Sequence, residues 1–231
     1  MHTFWLKIHA PFAAFRGFQA GVYRSSAPVM PPSAAYGLVL NLAGIEMRDY
    51  SNLKTTEILK DLPCLRLAIG VIQKPDQSTT YQQLHSYRVG TDEKTKMYKA
   101  LTKGAKYQIV PVRREMLIDY KGIIGVQTDD EILFERVKKG LRGELEDSRY
   151  GLPFAGDNNL LIDRIDVLDT PEKETYWYAR MRPDDAPRKG SCRLTVGINR
   201  TDNSRTTSFL YAPLNSILPP ESAWTWTPAE A

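Results

Sequence analysis

Hydrophobic and polar positions follow two different periods along this chain, and their order predicts a repeated β-α-β arrangement. Apolar residues alternate with polar ones over Met1–His9, as in a half-buried strand, and recur at helical spacing over Ala34–Ile45. After a polar and basic stretch, strand-like alternation and helical spacing occur again in the same order. The remaining predicted elements are strands at Cys64–Ile69, Tyr107–Leu117, Gly122–Val126 and Asn159–Leu168 and a helix at Ile132–Leu141.

Local residues predict where the two helices begin. Pro31 and Pro32 favour an extended approach to the first helix, with Ser33 as its N-cap. Thr128 and Glu131 have the spacing of a capping box ahead of the second helix. The first helix allows two interpretations: a buried helix opened by a proline turn, or a helix whose N-terminal N–H groups bind an anion such as phosphate.

The order of elements predicts an α+β protein with a ferredoxin-like fold, the architecture of RNA-recognition modules, in which two helices cover one face of an antiparallel sheet. Enzymes and metal carriers share this architecture, so it does not decide function. We expect this domain to span residues 1–168, with a basic insertion at 71–106. Residues 169–231 predict a C-terminal β-hairpin extension and a loosely packed tail, whose Trp224 and Trp226 either pack on the body or bind a partner.

Composition is that of a globular protein, with 42% hydrophobic and 25% charged residues. Cys64 and Cys192 lie far apart in apolar surroundings, which predicts buried thiols in a reducing compartment rather than a disulfide or a zinc site. We find neither a signal-peptide pattern nor the apolar run of about 18 residues that a bilayer span needs. The chain is therefore expected to be cytoplasmic, with no membrane contact.

Positive charge is concentrated in one part of the chain. The formal net charge is +4, yet Val71–Glu115 holds nine lysines and arginines against four acidic residues, and tyrosines such as Tyr81 and Tyr98 interleave with them. Cations that pair with phosphates and rings that stack on bases are the mixture that binds single-stranded RNA. The alternative interpretation is a solvated loop whose charges only keep it soluble.

Further cations come from two other segments. Arg16 and Arg24, flanked by aromatic residues, can pair with phosphates near the first helix or lie free on a surface loop. Arg113 and Arg114 are adjacent on a predicted strand, so they point to opposite faces and at least one should be available to a ligand. The candidate RNA-binding residues are Arg16, Arg24, Ser25, Ser26, His85, Tyr87, Arg88, Lys94, Lys96, Lys103, Lys106, Tyr107, Arg113 and Arg114.

The loop RYGLPFAGDNN precedes the last predicted strand of the domain, and its glycines allow a close backbone approach to RNA or to a protein partner. Its candidate contact residues are Arg149, Tyr150, Gly151, Gly156 and Asn158.

Sequence motifs for catalysis are not found. Neither the P-loop pattern nor G-x-G-x-x-G occurs, and no H-E-x-x-H or G-x-S-x-G is present. His2, His9 and His85 could support metal-independent RNA cleavage by general acid and base, but no spacing requires it. We expect no catalytic residues, no metal site and no cofactor.

Several segments together resemble one known family. APFAAFRGF, PPSAAYGLVLNLAGIE, QQLHSYRVG, KYQIVPVRREML and GLPFAGDNN occur in the order found in the CRISPR-associated subunit that caps the 5′ handle of the guide RNA in type I Cascade, the fifth of the numbered Cas families. QQLHSYRVG and GLPFAGDNN are most similar to the type I-B lineage. The resemblance implies a ferredoxin-like core carrying a thumb-like hairpin, which would lie within Val71–Lys106.

The resemblance also implies partners and a role. They are the guide crRNA through its 5′ handle, the Cascade backbone subunit, the large PAM-reading subunit, the repeat-processing nuclease, and target DNA in the assembled complex. One branch of the family cuts repeat RNA with a tyrosine, lysine and histidine group that we cannot place on this sequence, so the implied role is binding without cleavage. A metal-independent endoribonuclease and a scaffold that binds only proteins remain as alternatives.

Overall fold

A computed structural model describes residues 1–17, 22–50, 58–59, 61–88, 107–147, 149–200 and 202–228, with the backbone alone at 84–88, 107–110 and 203. In these residues the helices are α1 (Pro32–Leu42) and α2 (Glu131–Arg142). The strands are β1 (His2–Ala13), β2 (Phe15–Arg16), β3 (Tyr23–Arg24), β4 (Ser26–Ala27), β5 (Leu65–Val71), β6 (Asp76–Arg88), β7 (Tyr107–Thr128), β8 (Arg164–Leu168), β9 (Thr175–Arg180), β10 (Cys192–Gly197), β11 (Thr207–Ser216) and β12 (Trp224–Thr227).

One large sheet organises the described part of the chain. Its strands lie in the order β10-β11-β9-β5-β7-β1-β8, and each neighbouring pair is antiparallel. With α1 and α2 this is an α+β arrangement dominated by antiparallel sheet, which confirms the predicted fold class. No α-helix in the described ranges combines the length and the apolar character that crossing a bilayer requires.

The longest strand, β7, replaces two strands predicted from the sequence. It runs for 22 residues and pairs with β1 from His2↔Thr128 to Ala13↔Leu117. The predicted break falls near Asp119, which has a left-handed φ of 51°. The strand continues through this residue because β1 pairs with it on both sides, at Ala10↔Tyr120 and Phe12↔Ile118.

The main core lies between the sheet and the two helices. Buried residues of β1 and β7 pack there against apolar residues of the helices: Leu6, Ile8, Ile124 and Val126 from the strands, Val39 and Leu42 from α1, and Leu133 and Val137 from α2. The helices approach closely at Gly140, where an added Cβ would lie 1.7 Å from the carbonyl oxygen of Leu42. A smaller cluster around Trp5, Ile123 and Trp177 covers part of the opposite face.

The predicted N-cap position of each helix is wrong by two residues. Pro31 occupies the N-cap of α1 without a side-chain hydrogen bond, and its carbonyl oxygen accepts from the N–H groups of Ala34 and Ala35. Ser33 therefore lies inside the helix. At α2 the N-cap is Asp130, whose carboxylate accepts from the N–H groups of the second and third helical residues.

The C-terminal region continues the sheet rather than forming a separate extension. The predicted hairpin is present as β10 and β11, but β9 joins β11 to β5, and β12 pairs with β5 as well. Four residues of the predicted loose tail, Trp224–Thr227, therefore form a strand of the sheet. Trp224 on it packs against Trp5 with ring centroids 5.7 Å apart, whereas Trp226 is exposed.

The cysteines differ from the expectation that both are buried. Cys64 is exposed, whereas Cys192 is half-buried, and burial raises the pKa of the Cys192 thiol to about 12. Neither forms a disulfide.

Candidate nucleic-acid interface

A long hairpin projects from the central strand of the sheet. Its arms are β6 and residues 107–118 of β7, paired in register from Asp76↔Ile118 to Arg88↔Tyr107. The second arm lies beyond Lys106, so this hairpin, called the thumb hairpin below, is built from a longer part of the chain than the expected insertion. His85, Tyr87, Arg88 and Tyr107 belong to its arms by their backbones. The predicted RNA-binding residues outside the described part are Lys94, Lys96, Lys103 and Lys106.

The loop before α1 lies against the base of the thumb hairpin. Its short strand β3 pairs in parallel with β7, and the Arg113 N–H donates to the carbonyl oxygen of Val22 at 2.7 Å. Arg24 lies opposite Arg114 in this register, and Arg16 lies opposite Ser26 in the neighbouring β2–β4 pair. The structure thus brings together the arginines that the sequence predicted from two distant segments.

Arg113 and Arg114 have different surroundings, as expected for adjacent strand residues. Arg113 is exposed, and no other described residue forms a hydrogen bond or an ion pair with its guanidinium. Arg114 pairs with Asp157, and the two side chains are only 19% and 16% exposed. Burial alone would raise the pKa of Asp157, but the N–H of Asn159 and the Arg114 guanidinium together hold it below its usual value.

Ser26 is a correction to the predicted site. Its side chain is buried, and the hydroxyl accepts from the Phe15 N–H at 3.0 Å and donates to the carbonyl oxygen of Ala27 at 3.1 Å. Its own N–H donates to the Glu115 carboxylate at 2.9 Å. Ser26 therefore fixes the loop on β7 and offers no group to RNA, whereas Ser25 is half-buried beside it.

The N-terminus of α1 favours the first of its two interpretations. Met30, Pro31 and Pro32 are buried, and the Met30 N–H donates to the hydroxyl of the fully buried Tyr120 at 3.1 Å. The entrance to the helix is thus packed against the sheet, as in a buried helix opened by a proline turn.

The loop at 149–159 presents both structural and exposed residues. Gly156 has a φ of 86°, and a Cβ there would lie 2.3 Å from the carbonyl oxygen of Ala14. Its close backbone approach is therefore to its own chain, while Gly156 is also exposed, so contact with RNA or a partner at this residue stays a prediction. Gly151 has a φ of 72° with open space around it, and Asn158 is exposed.

Tyr150 is an exposed residue of that loop whose ring and carbonyl oxygen both contact other segments. The Arg48 guanidinium carbon lies 3.4 Å from the centre of its ring, and the Asn41 side-chain amide donates to its carbonyl oxygen at 2.8 Å. Arg149 beside it is half-buried. Exposed apolar side chains continue from Tyr150 along the loop and the turn after it, at Leu152, Phe154 and Leu161.

Two exposed tyrosines at the base of the thumb hairpin are absent from the predicted set. Tyr23 is 43% exposed and Tyr81 is 71% exposed, and they lie on either side of Arg113 in the strand register. Tyr81 was noticeable in the sequence only as one of several tyrosines among cations. The pairing of β3 with β7 is what singles both out, and no local pattern predicts that pairing.

A cleft of about 440 Å³ opens on the sheet face opposite the helices. Three of its lining residues, His9, Gln73 and Lys121, contact the Asp119 carboxylate. This carboxylate lies 3.0 Å from His9 Nε2 and accepts from Lys121 Nζ at 2.7 Å and from the Gln73 amide at 3.1 Å. The hydrogen bond from Lys121, followed by that from His9, lowers the pKa of Asp119. His2 lies at the other end of β1 and pairs with Glu131. The described residues hold no cluster of three or more His, Cys, Asp or Glu side chains suited to a metal ion.

Comparison with known proteins gives one family and a shared fold. The family model described as CRISPR-associated protein (Cas_Cas5) matches residues 3–143, more than half of the chain. A solved structure titled "CRISPR RNA-guided surveillance complex" is 10% identical, with a TM-score of 0.58 over 96% of this chain and 92% of that one. Another, titled "Crystal structure of Cas protein", is 14% identical, with a TM-score of 0.47 over 96% and 97%. No curated protein matches the sequence.

Proposed function

The chain belongs to the CRISPR-associated protein (Cas_Cas5) family, and from this we propose that it is the non-catalytic subunit of a type I Cascade complex that binds and caps the 5′ handle of the guide crRNA. The observation that carries the proposal is the meeting of the thumb hairpin with the arginine-bearing loop before α1. Cations from two distant segments come together where β3 pairs with β7, and such a local concentration of positive charge favours binding to a polyanion.

We propose that the core has the ferredoxin-like fold. Support comes from the strand order β8-β1-β7-β5, which is the order fourth, first, third and second of the two β-α-β units, with every neighbouring pair antiparallel. The thumb hairpin is then an elongation of the second and third core strands beyond the sheet. This geometry joins the thumb hairpin directly to the sheet, and the pairing of β3 with β7 sets the position of Arg113 relative to the loop before α1.

The handle is held mainly through its phosphates. Arg16, Arg24 and Arg113 are exposed on β2, β3 and β7 and act as the phosphate-pairing residues of the described part. Arg114 has a different role, since Asp157 already neutralises its charge. The proposal also assigns RNA binding to His85, Tyr87, Arg88 and Tyr107 and to the lysines outside the described residues, Lys94, Lys96, Lys103 and Lys106.

Assembly uses other surfaces of the subunit. The exposed apolar residues that follow Tyr150 suit contact with a protein, because such groups favour interfaces over water. In the proposal the partners are the backbone subunit, the large PAM-reading subunit and the repeat-processing nuclease of a type I-B-like complex in the cytoplasm, and the assembled complex engages target DNA.

The test uses purified protein and end-labelled repeat RNA from its own CRISPR array, with and without EDTA, on native and denaturing gels. We expect a retarded, intact RNA band that is lost when the handle sequence is scrambled. A double variant, Arg24→Glu with Arg113→Glu, should bind at least tenfold more weakly, because two phosphate contacts become repulsive. Arg200→Glu, an exposed arginine in the turn between β10 and β11, is the matched control and should bind like wild type. Equal binding by the double variant would refute the proposed surface.

A second candidate function is a metal-independent endoribonuclease, and the cleft holds the observation that favours it. His9 is oriented by Asp119 and lies in one cluster with Lys121, so an imidazole acid or base and a cation for a charged phosphorane are close together. If shortened RNA appears in EDTA and disappears with His9→Ala, this function replaces the non-catalytic one. His85→Ala is the parallel variant for the histidine on the thumb hairpin.

A further inference from the structure

We propose that Tyr23, Arg113 and Tyr81 form a nucleotide-binding row at the base of the thumb hairpin, where the two rings stack on unpaired bases and Arg113 binds the phosphate between them. This inference rests on the proposed RNA-binding function and deepens it, because it names which bases are held and how. The row is defined by strand register: Tyr23 is opposite Arg113 in the β3–β7 pair, and Tyr81 is opposite Arg113 in the β6–β7 pair.

Residues directly opposite one another in neighbouring strands project on the same side of a sheet, with Cβ atoms about 5 Å apart. The three side chains therefore share one face, and all three are exposed. The residues that flank Arg113 behave differently: Val112 is buried and Arg114 is paired with Asp157. The alternation along β7 thus presents Arg113 on the solvent side and keeps its neighbours inside.

The spacing of the row suits single-stranded nucleic acid. The two tyrosines stand two strand spacings apart, about 10 Å, with the cation midway between them. Successive unpaired nucleotides offer a base, a phosphate and a base in that order. A duplex does not fit this arrangement, because its bases are already stacked and their faces are covered. The row therefore recognises an unpaired segment, without requiring a particular base, since every base has a stacking face.

Exposure separates this role from a purely structural one. Cross-strand pairs of aromatic and charged side chains also stabilise a hairpin. A ring that has only this structural role contributes more stability when neighbouring side chains bury it. Tyr81 is 71% exposed, which leaves most of its ring accessible to a ligand. The Arg113 guanidinium likewise has no hydrogen-bonding or ion-pair partner among the described residues.

The experiment measures fluorescence anisotropy of 5′-labelled repeat RNA with the full-length chain. Tyr81→Ala and Tyr23→Ala should each weaken binding by about 5- to 100-fold, whereas Tyr81→Phe keeps the ring and should bind like wild type. Gln83→Ala is the matched control, because Gln83 lies on the same face of β6, two residues from Tyr81, and is exposed. Arg113→Gln should lower the slope of log affinity against log salt concentration by about one.

A second RNA set carries one abasic nucleotide at each position in turn. Removing the base that stacks on Tyr81 should weaken binding to wild type and leave Tyr81→Ala nearly unaffected at that position, a coupling that loss of folding would not produce. If wild type binds the RNA but both alanine variants bind equally well, the row is refuted and the RNA-binding function stands. If wild type itself fails to bind, the proposed function is refuted and the row with it. Melting temperatures of the variants within a few degrees of wild type exclude unfolding as the cause.

Discussion

The Arg114–Asp157 pair should contribute measurably to stability, and Asp157→Asn tests this. The pair joins the central strand β7 to the loop at 149–159, and both side chains are more than four-fifths buried. The amide of asparagine keeps an oxygen that can accept from the Asn159 N–H, as the carboxylate does at 2.9 Å. The substitution therefore removes the charge and leaves Arg114 without its counter-ion.

The magnitude follows from the degree of burial. A hydrogen bond to a charged group contributes about 1.5–3 kcal/mol net, and breaking a fully buried ion pair costs about 3–5 kcal/mol. The residual exposure lets water screen the remaining charge, so we expect a loss of about 1–3 kcal/mol in the free energy of unfolding. For a chain of this length that corresponds to a melting temperature lower by about 2 to 12 °C.

The effect should depend on pH in a defined direction. The pKa of Asp157 is lower in the folded protein than its unfolded value of about 3.9, so its ionised form is stabilised by folding. That stability is fully present above pH 4 and is lost as the pH falls through the folded-state pKa. The asparagine variant has no proton to gain at this position. The difference between wild type and variant should therefore be largest near pH 7 and should shrink below pH 4.

Urea unfolding of both proteins at pH 7 and at pH 3, followed by circular dichroism, measures these differences. Glu144→Gln is the control, because the Arg142–Glu144 pair is more than half exposed and should contribute little at either pH. The reasoning is refuted if Asp157→Asn costs no more than the control at pH 7, or if its cost is unchanged at pH 3.

Three further predictions concern two glycine contacts and one helix cap, and each is measured by thermal or urea unfolding. Gly140→Ala should cost about 2–4 kcal/mol, because its Cβ would lie 1.7 Å from a carbonyl oxygen of α1; Gly37→Ala, within α1 and with no atom within 4 Å, should instead stabilise by about 0.5–1 kcal/mol. Asp130→Ala should cost about 1 kcal/mol through loss of the α2 cap, and no change would contradict that assignment. Gly156→Ala should cost at least about 2 kcal/mol, whereas Gly151→Ala, with a similar φ but open space, should cost about 1 kcal/mol; equal costs would show that the contact at Gly156 is unimportant.

Much of the core could be predicted from the sequence because each element carries its own periodic signal. The alternation at the start of the chain and the helical spacing after Pro32 correspond to β1 and α1, and α2 also lies where its apolar stripe predicts. The last core strand is shorter than predicted, since the chain turns at Asp157, where the Leu160 N–H donates to its carbonyl oxygen. The ends of strands and helices depend on such local hydrogen bonds, and the spacing of apolar residues in the sequence does not predict them.

The candidate site could be predicted only as a set of residue types. Sequence identified the basic insertion and the arginines around it, because charge and aromatic content are visible without a fold. It could not show that β3 pairs with β7, which places Tyr23 and Tyr81 beside Arg113. Nor could it show that Ser26 is buried, because burial depends on which distant strand covers a residue.

The sequence by itself therefore determined the order and type of the core elements and the concentration of cations that points to a polyanion, since periodicity and composition are local properties of the chain. Tertiary structure decided the joining of two predicted strands into β7, the continuation of the sheet by C-terminal strands, and the division of two adjacent arginines into an exposed one and a paired one. Strand pairing and burial bring together residues about 100 positions apart, and no local pattern contains that information.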